Sequence, residues 1–220
     1  TLQRIIQEKI RVIGSGRTDA GVHALAQVAH FKTHSKLPLQ KIQRALNGLL
    51  PHDIRIKRIR YCSNDFHACY CVKSKIYRYI ILNSKVASAF LKRYTWHITY
   101  ALVIARMKRE AKVLLGTHDF SSFCASGSTA KAKIRTIKRI SIKKADSCQL
   151  LAVSYPLIVI DIEADGFLYT MMRTIVGTLV EIGRGRFEEG SLKKIRIAKD
   201  RTQAGPTAPA QGLFLVKAKY

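Results

Sequence analysis

The sequence predicts an α+β fold built from antiparallel strand pairs. Some stretches carry apolar residues at helical spacing, while others alternate apolar and polar residues in twos. The two kinds do not alternate strictly, and several strands follow one another directly, which argues against a βαβ wind. The chain has 220 residues, 47% of them hydrophobic. That is enough for one large domain or two small ones, at roughly 100–200 residues per domain. No internal repeat or low-complexity linker interrupts it.

The elements follow in order. Leu2 to Ile10 reads as a short helix with Leu2, Ile5, Ile6 and Ile10 on one face. Gly14 to Gly21 is a Gly-punctuated loop, and Gln27 to Thr33 alternates as a strand does. Leu39, Ile42, Ala45, Leu46 and Leu49 keep helical spacing, and Pro51 ends that helix. Ile54, Ile56, Ile59 and Tyr61 suggest a strand whose alternation slips at Lys57-Arg58, as at a bulge. Ile76 to Leu82 is rich in aromatic and β-branched residues and closes at Asn83-Ser84.

An irregular stretch spans Phe90 to Tyr100. Met107, Ala111, Leu114 and Leu115 then mark a helix that stops at Gly116. Ile134 to Ile142 and Leu157 to Ala164 read as strands, the second alternating Ile158, Ile160 and Ile162 with Val159, Asp161 and Glu163. Leu168, Met171, Met172, Ile175, Leu179 and Ile182 trace a buried helix face ending at Gly183. A short helix over Ser191 to Asp200 and a strand over Leu213 to Lys219 complete the chain. Each half, 1–71 and 72–220, resembles a ferredoxin-like unit in outline. The first half lacks an opening strand, and Thr1 is not an initiator Met, so a missing N-terminal piece is expected.

Charge narrows the function. Lys and Arg number 39 against 14 Asp and Glu, a net charge of +25. Arg55, Lys57, Arg58 and Arg60, then Lys131, Lys133, Arg135, Lys138, Arg139, Lys143 and Lys144, form basic clusters, several at two-residue spacing. Such a field suits a polyanion, and phosphate contacts position a nucleic acid without reading its sequence. No apolar run reaches the ~20 residues needed to span a bilayer, and no cationic amphipathic helix stands out, so no membrane partner is expected. The five cysteines, Cys62, Cys69, Cys71, Cys124 and Cys148, are an odd number and suggest reduced thiols inside a cell. Cys69 and Cys71 lack a second ligand pair at zinc spacing, so no metal is expected.

The chemistry centres on Asp19, in Gly14-Ser15-Gly16-Arg17-Thr18-Asp19-Ala20-Gly21-Val22-His23-Ala24. Glycines allow tight turns and close approach to a ligand. Arg17 supplies a nearby cation, which favours an ionised carboxylate. Such a carboxylate can be a nucleophile, although Asp in a Gly-rich loop ordinarily makes an Asx-turn or cap. Neither a Walker loop nor a Gly-x-Gly-x-x-Gly fingerprint is present. His23 and His118 are read as loop and turn residues, outside the catalytic set.

The stretch Gly16-Arg17-Thr18-Asp19-Ala20-Gly21-Val22-His23-Ala24, followed by Gln27-Val28-Ala29-His30-Phe31, resembles the catalytic signature of TruA-type tRNA pseudouridine synthases. Further blocks are similar to that family in order: Asp65-Phe66-His67-Ala68, Lys75-Ile76-Tyr77-Arg78-Tyr79, and Leu115-Gly116-Thr117-His118-Asp119-Phe120-Ser121-Ser122-Phe123. So are the segment Gly166 to Gly177, the tetrapeptide Ala198-Lys199-Asp200-Arg201, and the segment Ala204 to Leu213. The blocks cover nearly the whole chain. The Tyr-Asp-Gly and Gly-Trp-Gln segments with which such proteins usually open do not occur here.

The resemblance implies two ferredoxin-like halves forming a mixed, largely antiparallel sheet, with helices on one side and a central RNA-binding cleft. It implies isomerisation of uridine to pseudouridine in the anticodon arm of tRNA, around positions 38 to 40, by a cytoplasmic or organellar homodimer without cofactor. Asp19 falls on the nucleophile and Tyr77 on the tyrosine stacking on the target base. Arg17 falls on the arginine that displaces the base, Arg173 on the partner of the aspartate, and Leu213 on an apolar wall of the uracil pocket. The competing reading is a non-catalytic RNA-binding protein descended from such an enzyme.

Overall fold

A computed structural model of the protein describes residues 1–145 and 155–220; Cys148 lies outside them. In chain order the elements are α1 (Leu2–Ile6), β1 (Ile13–Gly14), β2 (His23–Ala24), β3 (Ala29–His30), α2 (Leu39–Leu49), β4 (Ser74–Asn83) and β5 (Trp96–Ile98). There follow α3 (Ile104–Ala111), β6 (Gly116–Asp119), β7 (Ile134–Ala145), β8 (Leu157–Ala164), α4 (Met171–Gly183), α5 (Ser191–Ala198) and β9 (Leu213–Lys219). The chain groups into two compact units, Thr1–Gly16 with Val28–Cys71, and Arg17–Gln27 with Val72–Tyr220. The loop bearing Asp19 thus groups with the later residues.

In the first unit, Ile42 and Leu46 of α2 bury against Ile6 and Ile10. The first helix is shorter than its apolar spacing predicts. It stops at Ile6 because Gln7 turns left-handed (φ 60°), and Ile10 joins the cluster from beyond the helix. The strand expected over Gln27 to Thr33 contracts to Ala29–His30, whose only partner is the two-residue β1. The strand expected around Ile54 to Tyr61 does not form. Side-chain amides take the place of a neighbouring strand there. The Ile56 N–H donates to Asn47 Oδ1 (2.7 Å), while Asn47 Nδ2 and Gln43 Nε2 each donate to the Ile56 carbonyl at 3.0 Å. With both its backbone groups satisfied this way, Ile56 needs no ladder partner.

The second unit is built on a seven-stranded sheet in the order β2-β9-β4-β8-β7-β6, with β5 pairing the end of β4. β4 runs antiparallel to both β8 and β9; among the described residues only the β2–β9 and β4–β5 pairs are parallel. The sheet is therefore mixed and largely antiparallel. Three of its short strands, β2, β5 and β6, carry too few residues to show periodicity in the sequence.

Alternation along the long strands sorts the two faces. Tyr77, Tyr79 and Ile81 of β4 and Ile158, Ile160 and Ile162 of β8 join the helices in one apolar core. The opposite face carries charge: Arg78 grips Asp161 through Nε and Nη2 (2.8 and 3.0 Å), and Glu163 accepts from Ser74 and Lys219, both at 2.7 Å. α4 is buried almost all round, from Met171 to Gly183, as expected of a helix at the centre of a core. Gly183 lets α3 approach, since a Cβ there would stand 2.8 Å from Met107 Sδ. α3 itself ends at Ala111, and Leu114 sits in a following 3-10 turn rather than in one continuous helix. Among the described residues, no helix is long and apolar enough to cross a membrane.

Candidate active site

The Asp19 loop owes its position to backbone pairing. β2 lies parallel to β9, with His23 opposite Phe214 and Ala24 opposite Leu215, and the Leu25 N–H donates to the Leu215 carbonyl at 2.8 Å. Just before β2, the Val22 N–H closes a turn onto the Asp19 carbonyl at 3.1 Å. Gly21 occupies the third turn position with φ +80°, a conformation that a side chain there would strain. Val22 packs into the core. The loop is thus pinned immediately after Asp19, and the carboxylate projects from a fixed base.

Arg173, in the first turn of α4, meets that carboxylate. Its Nη1 donates to Asp19 Oδ2 at 2.7 Å, and the two side chains are only 18% and 23% exposed. A charge-assisted bond this short, largely shielded from water, fixes both groups. The guanidinium has a second anchor, because Arg173 Nε donates to the Ala208 carbonyl at 2.7 Å while the Ala208 N–H returns to the Arg173 carbonyl at 3.1 Å. The segment before β9 reaches α4 only because two glycines meet there. A Cβ on Gly177 would stand 1.7 Å from the Pro206 carbonyl oxygen, and one on Gly205 would stand 2.7 Å from Thr178 Cα. Thr178 stitches the contact by accepting from the Gly205 N–H at 3.0 Å.

Tyr77 brings a buried aromatic ring near the carboxylate. It is 9% exposed and packs edge-on against Phe167, with ring centroids 4.8 Å apart. Its phenol is pushed up to about 12, first by burial and second by the negative charge of Asp19. It therefore stays protonated at neutral pH, and the carboxylate's field reaches its hydroxyl. The register between β4 and β9 shifts between Ile76 and Tyr77. Such a bulge re-aims the side chain beside it. Leu213 begins β9, buried opposite Tyr79 and in the same apolar cluster as Tyr77. The Tyr79 hydroxyl donates to the Pro209 carbonyl at 2.7 Å, and burial pushes its phenol far up. Gly212 leaves room for that ring, since a Cβ there would touch it at 2.7 Å.

Asp19, Arg173, Tyr77 and Leu213 therefore gather in the second unit. Arg17 is exposed and stands apart; the cation at bonding distance from Asp19 is Arg173. His23 has a packing task, stacked on Phe214 at 4.8 Å with Nε2 2.8 Å from the Arg93 carbonyl. His118 Nε2 lies 2.7 Å from the Leu115 carbonyl, within its own turn. Two participants carry no charge pattern that a sequence could flag, the Phe167 ring and the Ala208 carbonyl. The signal for the second was the run Ala204-Gly205-Pro206-Thr207-Ala208-Pro209, too irregular for helix or strand and ending at a buried strand.

A basic α+β scaffold thus presents an ion-paired carboxylate beside a buried tyrosine. The family model for tRNA pseudouridine synthase matches residues 1–71 and 111–220, and the chain belongs to that family of isomerases. It is 47% identical over 219 residues to tRNA pseudouridine synthase A of Thermoanaerobacter sp. (strain X514), covering 100% of this chain and 86% of the relative. The protein of the same name from Acetivibrio thermocellus is 45% identical over 224 residues, 100% and 88% of the two chains. That from Limosilactobacillus reuteri is 45% identical over 211 residues, 96% and 80%.

Proposed function

We propose that the protein converts uridine to pseudouridine in the anticodon stem-loop of tRNA, around positions 38 to 40, with Asp19 as the nucleophile. The observation that carries this reading is the Asp19–Arg173 pair at 2.7 Å with Tyr77 alongside. The reaction breaks the bond from the sugar C1′ to N1 of uracil and forms one from C1′ to C5. The C5 proton leaves to solvent and N1 gains a proton. Electrons balance without an oxidant and no water is consumed, so the chemistry calls for no cofactor.

Each residue has a task in that sequence. The target base must leave the stack before any side chain can reach its glycosidic bond. In this reading Arg17, which is exposed and outside the Asp19 ion pair, displaces it. Asp19 attacks the extruded nucleotide, and Arg173 keeps the carboxylate aimed. Tyr77 offers the detached uracil a flat apolar face, and Leu213 closes the pocket. We place the enzyme in the cytoplasm as a homodimer with tRNA lying across both subunits.

The test is tritium release from tRNA labelled at uracil C5. The wild type should release label, and Asp19→Ala should release none while melting normally. Absence of release by folded wild-type protein overturns the proposal. Mapping the pseudouridines in the product checks the positions, and sedimentation checks the dimer.

A further inference from the structure

Tyr70 belongs to none of the apolar clusters among the described residues. Its residue is 84% exposed, yet its ring is not loose. It stacks on the His67 imidazole with centroids 4.1 Å apart and planes inclined by 18°. His67 is itself clamped. Its Nδ1 accepts the backbone N–H groups of Cys69 and Tyr70 (3.3 and 3.2 Å), its own N–H donates to Cys71 Sγ at 3.2 Å, and its carbonyl accepts the Cys71 N–H at 2.9 Å. On its other side the imidazole meets the His30 ring edge-on at 4.9 Å, and His30 Nδ1 accepts the Ala68 N–H at 3.1 Å. A tyrosine that buries so little of its own surface adds little to folding. Here one face stacks on His67 and the rest of the ring is open to water.

We propose that the His67–Tyr70 stack is a landing platform for an unpaired nucleobase of the tRNA, separate from the pocket that takes the target uracil. The proposal rests on the tRNA-modifying reading for the identity of its ligand. Two features select a base over another apolar partner. The ring is flat, open on one face and already stacked on a second aromatic, the geometry by which proteins hold single-stranded bases. The surrounding unit is also a polyanion receptor, with eleven Lys and Arg against three acids, a net charge of +8. The stack supplies the base contact and the charge holds the backbone.

The experiment compares full-length wild type, Tyr70→Ala, Tyr70→Phe and Tyr70→Trp for binding to an unmodified tRNA transcript and to a linear oligouridylate, across a salt series. Tyr70→Ala should weaken binding by about 5- to 150-fold, the range that loss of one base–aromatic stack supports. Tyr70→Phe should bind within about twofold of wild type. The slope of affinity against salt should be the same for all four proteins, because stacking releases no counterions. Tyr70→Trp should show emission quenched by RNA beyond that of the native Trp96. Wild-type affinity in Tyr70→Ala, or an equal loss in Tyr70→Phe, overturns the platform. So does a loss that flattens the salt slope, which would mark a phosphate contact instead. Tritium release is read in parallel on wild type: if it fails while oligouridylate binding still depends on the Tyr70 ring, the catalytic reading falls and the platform stands.

Discussion

The two compact units keep their shape by different means. The second has a sheet of long strands and a buried helix, with the aliphatic, aromatic and methionine side chains of β4, β8, β9 and α4 locked together. The first has one cluster of four buried aliphatic side chains, Ile6, Ile10, Ile42 and Leu46, with the small Ala68 buried outside it, and strands of two residues. Much of its order comes from side-chain amides and imidazoles bonded to backbone. Burial of apolar area is the larger and more uniform source of stability, and small units have little of it. The second unit therefore suits a site that must hold an ion pair in one geometry. The first suits an adaptable surface, and its amides should exchange with solvent before those of β4 and β8.

The largest loss is expected at Gly177. No rotamer can relieve a Cβ 1.7 Å from the Pro206 carbonyl oxygen, so α4 and the 205–208 segment must separate. Gly177→Ala is expected to cost at least about 3 kcal/mol, the upper end for overpacking. It should also lose tritium release, because the Ala208 carbonyl that anchors Arg173 moves with the segment. A thermal melt and the release assay check both effects.

Glu110 comes next. The residue is 5% exposed, and its carboxylate accepts the Gly190 and Leu192 N–H groups (2.8 and 3.1 Å) at the start of α5. Glu110→Ala leaves both donors unsatisfied and should cost about 2–3 kcal/mol, the scale for bonds to a buried charge. Glu110→Gln keeps one acceptor oxygen and should lose less. Within the first unit, Ile42→Ala should cost about 2 kcal/mol, the low end for such truncations, because its small cluster can collapse around the gap. Hydrogen exchange should show the loss confined to residues 1–16 and 28–71, with β4 and β8 protected as before. Uniform loss across both units would mean that they unfold as one.

The contrast also explains what could be read from the sequence. In the second unit, alternation at Ile158, Ile160 and Ile162 and helical spacing from Met171 to Ile182 reflect deep burial, and burial is what periodicity records. Asp19, Tyr77 and Arg173 were legible through an ordered series of motifs, not through their chemistry; an Asp in a glycine loop and a Tyr in a strand have commonplace roles. In the first unit, the Ile54 to Tyr61 pattern misled. Ile56 and Ile59 do meet the small cluster, while Ile54 and Tyr61 are exposed, and Asn47 and Gln43 satisfy Ile56 in place of a strand. A polar side chain's choice of a distant backbone partner leaves no periodic trace. The same is true of the Ala208 carbonyl, since every residue has one.

The smallest expected effect is one of pH, and it falls on the first unit alone. The His30 imidazole is held below its ordinary value, chiefly by burial, then by the charges of His67 and Lys32, with a hydrogen bond to Ile13 pulling the other way. The unfolded chain therefore takes up this proton more readily than the folded one. The stability due to neutral His30 is complete above about pH 6.5, the ordinary histidine value, and is lost as pH falls through the depressed folded value. Protonation also turns Nδ1 from acceptor to donor, which removes the partner of the Ala68 N–H. Lowering the pH from 7 to 5 should speed exchange at Ala68 and its neighbours while leaving the sheet of the second unit unchanged. His30→Asn, which retains an acceptor oxygen without a titrating ring, should flatten that response, and an acid sensitivity surviving in this variant would overturn the assignment to His30.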